Sequence, residues 1–161
     1  MHFDLQGNLY PYEITKIDFK TFEDIFINDF TNSLTRKEIF DNYVNYLSAF
    51  REEVSNSFTQ FIDGSFITKE ENPRDLDFVT LLDSTLYDEK YNVLEKYKGL
   101  QLHKEKKLDC YFIKEYPIEH PYYEIVTLSD KLYWLDLFSK TRVQRNGKKY
   151  PKGIIQIEFQ P

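Results

Sequence analysis

Two aspartates, Asp75 and Asp77, constrain the fold most, because they lie at alternate positions where an apolar, β-rich run begins. The run 76–82 reads as a strand, and residues two apart in a strand point to the same face of a sheet. Two carboxylates held in this way supply the oxygen ligands that hard divalent cations prefer. The first expectation is therefore a metal-assisted site on a β-sheet.

A Gly-Ser step and a third acid extend this pattern. Gly64 and Ser65 follow a strand-like run at 58–63, and Asp109 lies inside another at 107–114. An aspartate in an apolar strand is costly to bury without a metal or a partner, which favours a site. The alternative is that the Asp75–Asp77 pair starts a strand after a turn and that Asp109 is an edge-strand charge that opposes aggregation.

The order strand, Gly-Ser, short insertion, Asp-x-Asp and a later strand with one more acid resembles the DNA polymerase β-like nucleotidyltransferases over about residues 58–113. The matching positions are Gly64, Ser65, Asp75, Asp77 and Asp109. Nearly the whole chain also resembles an uncharacterised family of small bacterial nucleotidyltransferase-like proteins. That likeness rests on the segments 134–138, 141–142 and 152–155.

The resemblance implies an enzyme that moves a nucleoside monophosphate from an NTP to a hydroxyl acceptor, with Mg²⁺ or Mn²⁺ as cofactor. The implied metal ligands and catalytic residues are Asp75, Asp77 and Asp109. The implied nucleotide contacts are Gly64, Ser65 and Lys69. Many compact relatives carry a basic residue sooner after Gly-Ser and a further glycine, where this chain has Phe66-Ile-Thr-Lys69. The acceptor stays open between a protein, a tRNA and a small molecule.

A protein without catalytic activity is the alternative function. In that case the nucleotidyltransferase fold would serve as one partner of a toxin–antitoxin or phage-defence pair. The chain also has no room for a separate substrate-binding domain, so a protein partner that presents the acceptor is compatible with both functions. Retention of all three aspartates favours activity, because a binding module does not need them.

The charge of the chain is uneven. The net charge is −6, yet residues 140–152 contain six Lys or Arg and no acid, so removing this +6 leaves the rest at −12. A basic segment in an acidic protein indicates an anionic partner, and Lys148, Lys149 and Lys152 are the candidate contacts to phosphate or nucleic acid. The alternative is an ordinary solvated loop.

The cysteine count and hydropathy bear on the compartment. Cys110 is the only cysteine, so the sequence offers no disulfide framework and no cysteine metal site, which suits a reducing cytoplasm. No run of about 18 apolar residues predicts a membrane span, and the N-terminus lacks the features of a secretory signal. We therefore expect a cytoplasmic protein without a membrane segment. Cys110 should point away from Asp109 as a small buried side chain.

The periodicities predict one α/β (α+β) domain over residues 1–161, with a mixed twisted sheet and flanking helices. Strands are expected near 58–63, 75–82, 107–114 and 153–159, and helices near 17–30, 36–55, 85–97 and 130–139. Thr35 and Glu38 form a capping-box pattern, and residues 1–14 read as an irregular arm. Trp134 and nearby tyrosines could stack a base, but core packing is the better interpretation. The three histidines show no ligand spacing.

Overall fold

The computed structural model describes residues 1–161 and contains two β-sheets. The small sheet is an antiparallel pair of β1 (His2–Phe3) and β2 (Leu9–Tyr10). The strands of the main sheet are β3 (Ile14–Lys16), β4 (Phe58–Asp63), β5 (Leu76–Asp83), β6 (Leu108–Glu115) and β7 (Ile154–Phe159). They lie in the order β3-β7-β4-β5-β6. The predicted mixed sheet in a single α+β domain is confirmed.

Both strand directions occur in the main sheet. β4 runs antiparallel to its neighbours β5 and β7, whereas β3–β7 and β5–β6 are parallel pairs. The four predicted strands match β4, β5, β6 and β7 to within about one residue at each end, as their apolar, β-rich composition leads one to expect. The predicted irregular arm differs, because β1, β2 and β3 all lie within residues 1–16.

The helices are more fragmented than the sequence predicts. The α-helices are α1 (Phe19–Glu23), α2 (Arg36–Glu53), α3 (Ser84–Glu89), α4 (Tyr91–Leu94), α5 (Leu100–Lys106) and α6 (Ser129–Phe138). Wider π-helical turns extend α1 at Asp24–Asn28 and precede α6 at Tyr123–Leu128, and short 3₁₀ turns lie at Ser65–Ile67 and Glu95–Tyr97. α5 falls in a polar stretch that carries no apolar periodicity, so the sequence did not reveal it.

Side chains cap the starts of α3 and α2. Asp83 accepts hydrogen bonds from the backbone N–H groups of Thr85 and Leu86, so it caps α3. The capping box at Thr35 is wrong, because the Thr35 side chain makes no cap bond and donates instead to the Pro73 carbonyl. Ser33 takes its place and accepts from the N–H of Arg36.

The main core lies on the face of the sheet that α2 covers. It is rich in aromatic rings, including Phe50 against Phe58 at 4.9 Å and Tyr43 against Phe78 at 5.3 Å between ring centres. Side chains of the central strands alternate between faces, so Phe78 and Cys110 point into this core. Cys110 is almost fully buried, as predicted.

The opposite face carries a smaller core that only α6 covers. Its buried residues are Phe61, Val79, Leu81, Ile113, Phe138 and Ile154. Trp134 and Leu135 pack against it from α6. Two other large side chains of α6 are not buried, since Leu132 and Tyr133 are 59 % and 61 % exposed. This face is therefore only partly covered and leaves room at the ends of the strands.

Candidate active site

Three aspartates lie side by side across neighbouring strands on the partly covered face. Asp63 at the end of β4 pairs with Asp77 on β5, and Asp77 pairs with Asp109 on β6. Paired positions of adjacent strands lie roughly 5 Å apart, and strand alternation turns these side chains toward the face of the smaller core. We call Asp63, Asp77 and Asp109 the aspartate row. Like charges placed directly opposite each other destabilise a sheet unless something neutralises them.

The central carboxyl group of the row, that of Asp77, has a strongly raised pKa. Burial, together with the charges of Asp75, Asp63 and Asp109, raises the pKa of Asp77 to about 7, while Arg142 opposes the shift. A carboxyl group with this pKa is partly protonated at neutral pH. A bound cation would favour its ionised form instead, because an opposite charge within a few ångströms lowers the pKa of a carboxyl group.

Asp63 is held by a buried ion pair. Its Oδ2 lies 2.9 Å from Lys152 Nζ, and both side chains are less than 10 % exposed. Burial raises the pKa of Asp63 to about 6, against the lowering effect of Lys152. The second oxygen, Asp63 Oδ1, is buried without any hydrogen-bond partner. An unpaired buried carboxylate oxygen beside Asp77 is a free ligand position for a cation or a donor.

Asp75 is engaged by a histidine that the sequence analysis left without a role. Nε2 of His103 lies 2.9 Å from Asp75 Oδ2, and the two side chains are 38 % and 22 % exposed. His103 lies on α5, the helix that the sequence analysis missed. The charge of Asp75 contributes to raising the pKa of Asp77, which lies two residues further along the chain.

The loop after the Gly-Ser step is fastened by Arg36. This buried guanidinium on α2 donates to the carbonyls of Phe66, Thr68 and Glu70 within the loop and to Phe26 beyond it, at 2.6–2.9 Å. Burial lowers the pKa of Arg36 to about 10, which leaves it charged at neutral pH. One side chain therefore fixes the path of the loop that carries Ser65.

The four predicted basic contacts differ in their surroundings. Lys69, Lys148 and Lys149 are exposed, and none of them forms an ion pair. Lys69 lies beside the N-terminal hairpin, where its N–H donates to the Gly7 carbonyl at 2.8 Å. Lys152 differs from the expectation of a solvated contact, because it is buried against Asp63. The negative charge of Asp63, one residue before Gly64, explains why a lysine is stable there.

The donor groups of the site are of the kind that binds a hard divalent cation, but their side chains are not positioned to hold one. All the candidate donors are carboxylates, which Mg²⁺ and Mn²⁺ prefer, and Asp63 Oδ1 has no partner. However, no group of three or more His, Cys, Asp or Glu side chains is arranged so that it could hold a metal ion. Asp75 faces His103 instead. The backbone register thus places the donors next to each other, and side-chain rotation would have to bring them together.

No helix in the structure has the length and apolar character needed to cross a bilayer.

Comparison with other proteins identifies the family but no activity. No curated protein and no solved structure matches the chain. The model of one family matches residues 1–158, which is nearly the full length. The chain therefore belongs to DUF6932, a family of unknown function.

Proposed function

We propose that the protein is a metal-dependent nucleotidyltransferase that moves a nucleoside monophosphate from an NTP to a hydroxyl acceptor. The observation that carries the proposal is the aspartate row, three carboxylates in register across β4, β5 and β6, with Asp75 next to its centre. Such a concentration of negative charge costs stability in the absence of a cation. Nucleotidyl transfer uses this arrangement, since it needs charge neutralisation and positioning more than covalent chemistry.

The aspartates and the Gly-Ser step would have different roles in the transfer. Asp75, Asp77 and Asp109 would hold Mg²⁺ or Mn²⁺, which supplies positive charge to the triphosphate and lowers the pKa of the attacking hydroxyl. Asp109 lies at the edge of the row and would accept the proton of that hydroxyl. The lack of a side chain at Gly64 leaves room for the carboxylate of Asp77, and the hydroxyl of Ser65 is free to meet a phosphate.

Exposed cations would complete the neutralisation of the triphosphate. Lys69, Lys148 and Lys149 have no carboxylate partner and remain available for phosphate. Arg142 already acts on Asp63 and Asp77, as its effect on their pKa values indicates. A protein that works in the cytoplasm has both NTPs and Mg²⁺ at hand. The proposed acceptor is a hydroxyl group of a protein side chain, a tRNA or a small molecule.

A second candidate function has one observation in its favour. The helical segment 123–138 exposes several large apolar side chains, including Ile125 at 73 %, Leu132 at 59 % and Leu137 at 50 %. Exposed apolar residues that cluster on one element are typical of protein–protein contacts. A catalytically inactive partner protein in a toxin–antitoxin or phage-defence pair would use such a surface and would not require metal.

Calorimetric titration with Mn²⁺ and a non-hydrolysable NTP separates the two functions. Wild type should bind both together, and Asp77→Asn should lose the metal-dependent part. The matched control is Asp130→Asn, which removes an exposed aspartate of α6 without an ion pair. Equal affinity in wild type and Asp77→Asn would overturn the proposed metal site.

Transfer itself is tested with labelled NTPs, Mg²⁺ or Mn²⁺ and a lysate of the host cell. Asp109→Ala should lose label transfer but retain some NTP binding, because Asp75 and Asp77 remain. NTP binding without any label transfer in wild type would favour the partner-protein function, and a pull-down for a stable companion would then decide.

A further inference from the structure

An exposed group of aromatic rings lies next to the edge of the aspartate row. Tyr111 follows Asp109 by two residues on β6, so both side chains project from the same face of the sheet. The Tyr111 ring lies 4.4 Å from the Trp134 ring of α6, and Tyr133 lies 5.4 Å from Trp134. We call Tyr111, Tyr133 and Trp134 the aromatic platform.

The platform is both supported and accessible. Trp134 packs edge-to-face on the buried Phe138 at 5.4 Å and borders the smaller core, which fixes its position. Tyr111 and Tyr133 nevertheless remain 42 % and 61 % exposed. Core packing, the role expected for these aromatics from the sequence, accounts for Trp134 but not for the two tyrosines. Exposed aromatic rings held on a rigid base lose little entropy when a planar ligand stacks on them.

The distance to the proposed chemistry is short. Asp109 and Tyr111 lie two residues apart on β6, and alternate residues of a strand are separated by roughly 7 Å along the same face of the sheet. A nucleotide whose phosphate or hydroxyl reaches Asp109 therefore has its base or sugar within reach of the platform. The platform carries no charge of its own, so it offers a planar ring contact where the row offers only charged groups.

We infer that the aromatic platform binds a nucleobase by stacking on Tyr133 and Tyr111. This inference rests on the proposed nucleotidyltransferase function and narrows its substrates to those that bring a base to the Asp109 side of the row. The base belongs to the NTP or to a single-stranded RNA acceptor. Both sources offer the same π-face, and stacking of this kind tolerates any base.

Trp134 is the only tryptophan in the chain, so its fluorescence reports directly on the platform. The protein is titrated with adenosine in EDTA, which removes any contribution of metal or phosphate. Adenosine should quench Trp134, whereas ribose 5-phosphate at equal concentration should not. Quenching by both ligands, or by neither, would overturn the inference.

Variants test the stacking itself. Tyr133→Leu should weaken adenosine binding about 10-fold, and Tyr133→Phe should bind like wild type because the ring is retained. The matched control is Tyr91→Leu, another exposed tyrosine (52 %) that lies on α4. Equal weakening by Tyr133→Leu and Tyr91→Leu, or none by Tyr133→Leu, would contradict the inference.

Two further titrations identify the source of the base and keep this inference separate from the proposed function. Tyr133→Leu should weaken an NTP analogue with Mn²⁺ if the base is that of the NTP, and a short single-stranded RNA if it is that of the acceptor. Asp77→Asn should keep adenosine quenching while it loses Mn²⁺ binding. Tyr133→Leu should lose adenosine quenching and bind Mn²⁺ normally. The adenosine site and the metal site could then be disproved independently of each other.

Discussion

The carboxylate of Asp77 occupies the space that a side chain on residue 64 would need. A Cβ added to Gly64 would lie 1.8 Å from Asp77 Oδ2 and 2.8 Å from its Cγ. Gly64 also has a φ of +81°, a conformation that other residues rarely adopt. The Gly-Ser step and the Asp-x-Asp pair are thus in contact, and the orientation of Asp77 depends on the lack of a side chain at residue 64.

Gly64→Ala should therefore displace Asp77 and weaken Mn²⁺ binding about 10-fold or more. Gly147→Ala is the control, because Gly147 has a similar φ of +77° and no atom within 4 Å of an added Cβ. Both variants should lose about 1 kcal/mol of stability through backbone strain, and Gly64→Ala should lose more because its Cβ overlaps Asp77. Only Gly64→Ala should lose metal affinity, as calorimetry would show. The same Mn²⁺ affinity in both variants would mean that Asp77 does not bind metal.

Asp77→Asn should stabilise the metal-free protein at about pH 8 and change little at about pH 4. The folded protein holds a proton on Asp77 up to a pKa of about 7, whereas the unfolded chain releases it near 3.8. Stability therefore falls as the pH rises through this interval. Each pKa unit is worth about 1.4 kcal/mol, so the gain should be on the order of 2–4 kcal/mol. Urea unfolding at both pH values measures it, and an equal gain at both would point to packing instead of ionisation.

Arg36→Met should loosen the loop of residues 65–70 and destabilise the fold. It removes donors from four carbonyls, three of them in that loop, and leaving a buried polar group without a partner costs about 1–3 kcal/mol. Arg36→Lys should recover part of the loss, because an ammonium group reaches fewer carbonyls. Urea unfolding measures stability, and hydrogen exchange at Thr68 measures the loop. Full protection of Thr68 in a folded Arg36→Met protein would contradict this role.

The basic segment should separate into two kinds of lysine. Lys148→Ala with Lys149→Ala should weaken binding of the NTP analogue and reduce its salt dependence without changing stability, because both side chains are exposed and unpaired. Lys152→Met should instead destabilise the protein by about 3–5 kcal/mol, since it leaves Asp63 buried without its partner. Calorimetry at two salt concentrations measures the binding of the NTP analogue, and urea unfolding measures the stability. If the double variant kept the salt dependence of wild type, the basic segment would be an ordinary solvated loop.

The sequence predicted the parts of the fold that follow from local pattern. Apolar, β-rich runs marked β4, β5, β6 and β7, and the alternation of side chains along a strand placed Asp109 and Cys110 on opposite faces. Asp63 was missed because its place in the row depends on the register between β4 and β5, which no local pattern specifies. One signal was available: Asp63 directly precedes Gly64 and shares the alternation of Phe61, so antiparallel pairing of the two strands would have brought it to Asp77.

Contacts between residues that are far apart in the chain could not be predicted from the sequence. Lys152 lies 89 positions after Asp63, and charge counting placed it with the exposed lysines of the same segment. Arg36 lies at the start of an amphipathic helix, where a charged residue normally faces water, yet its partners are backbone carbonyls that become close only on folding. His103 lay in a polar stretch without ligand spacing, so only the packing of α5 revealed its contact with Asp75.

His103 should compete with metal for Asp75. Oδ2 of Asp75 is bonded to His103, and a metal that uses this oxygen must first displace the ring. His103→Asn is too short to keep that contact, so it should raise Mn²⁺ affinity several-fold, whereas His120→Asn, the control, should have no effect because His120 stacks on Tyr116 instead. Asp75→Asn should lose Mn²⁺ affinity in both backgrounds. Calorimetry on the three single variants and on the double variant His103→Asn/Asp75→Asn tests the competition directly.

If His103→Asn left the Mn²⁺ affinity unchanged while Asp75→Asn reduced it, the metal would use the other oxygen of Asp75. If neither variant had any effect, Asp75 would not be a ligand, and the site would have to consist of the aspartate row alone.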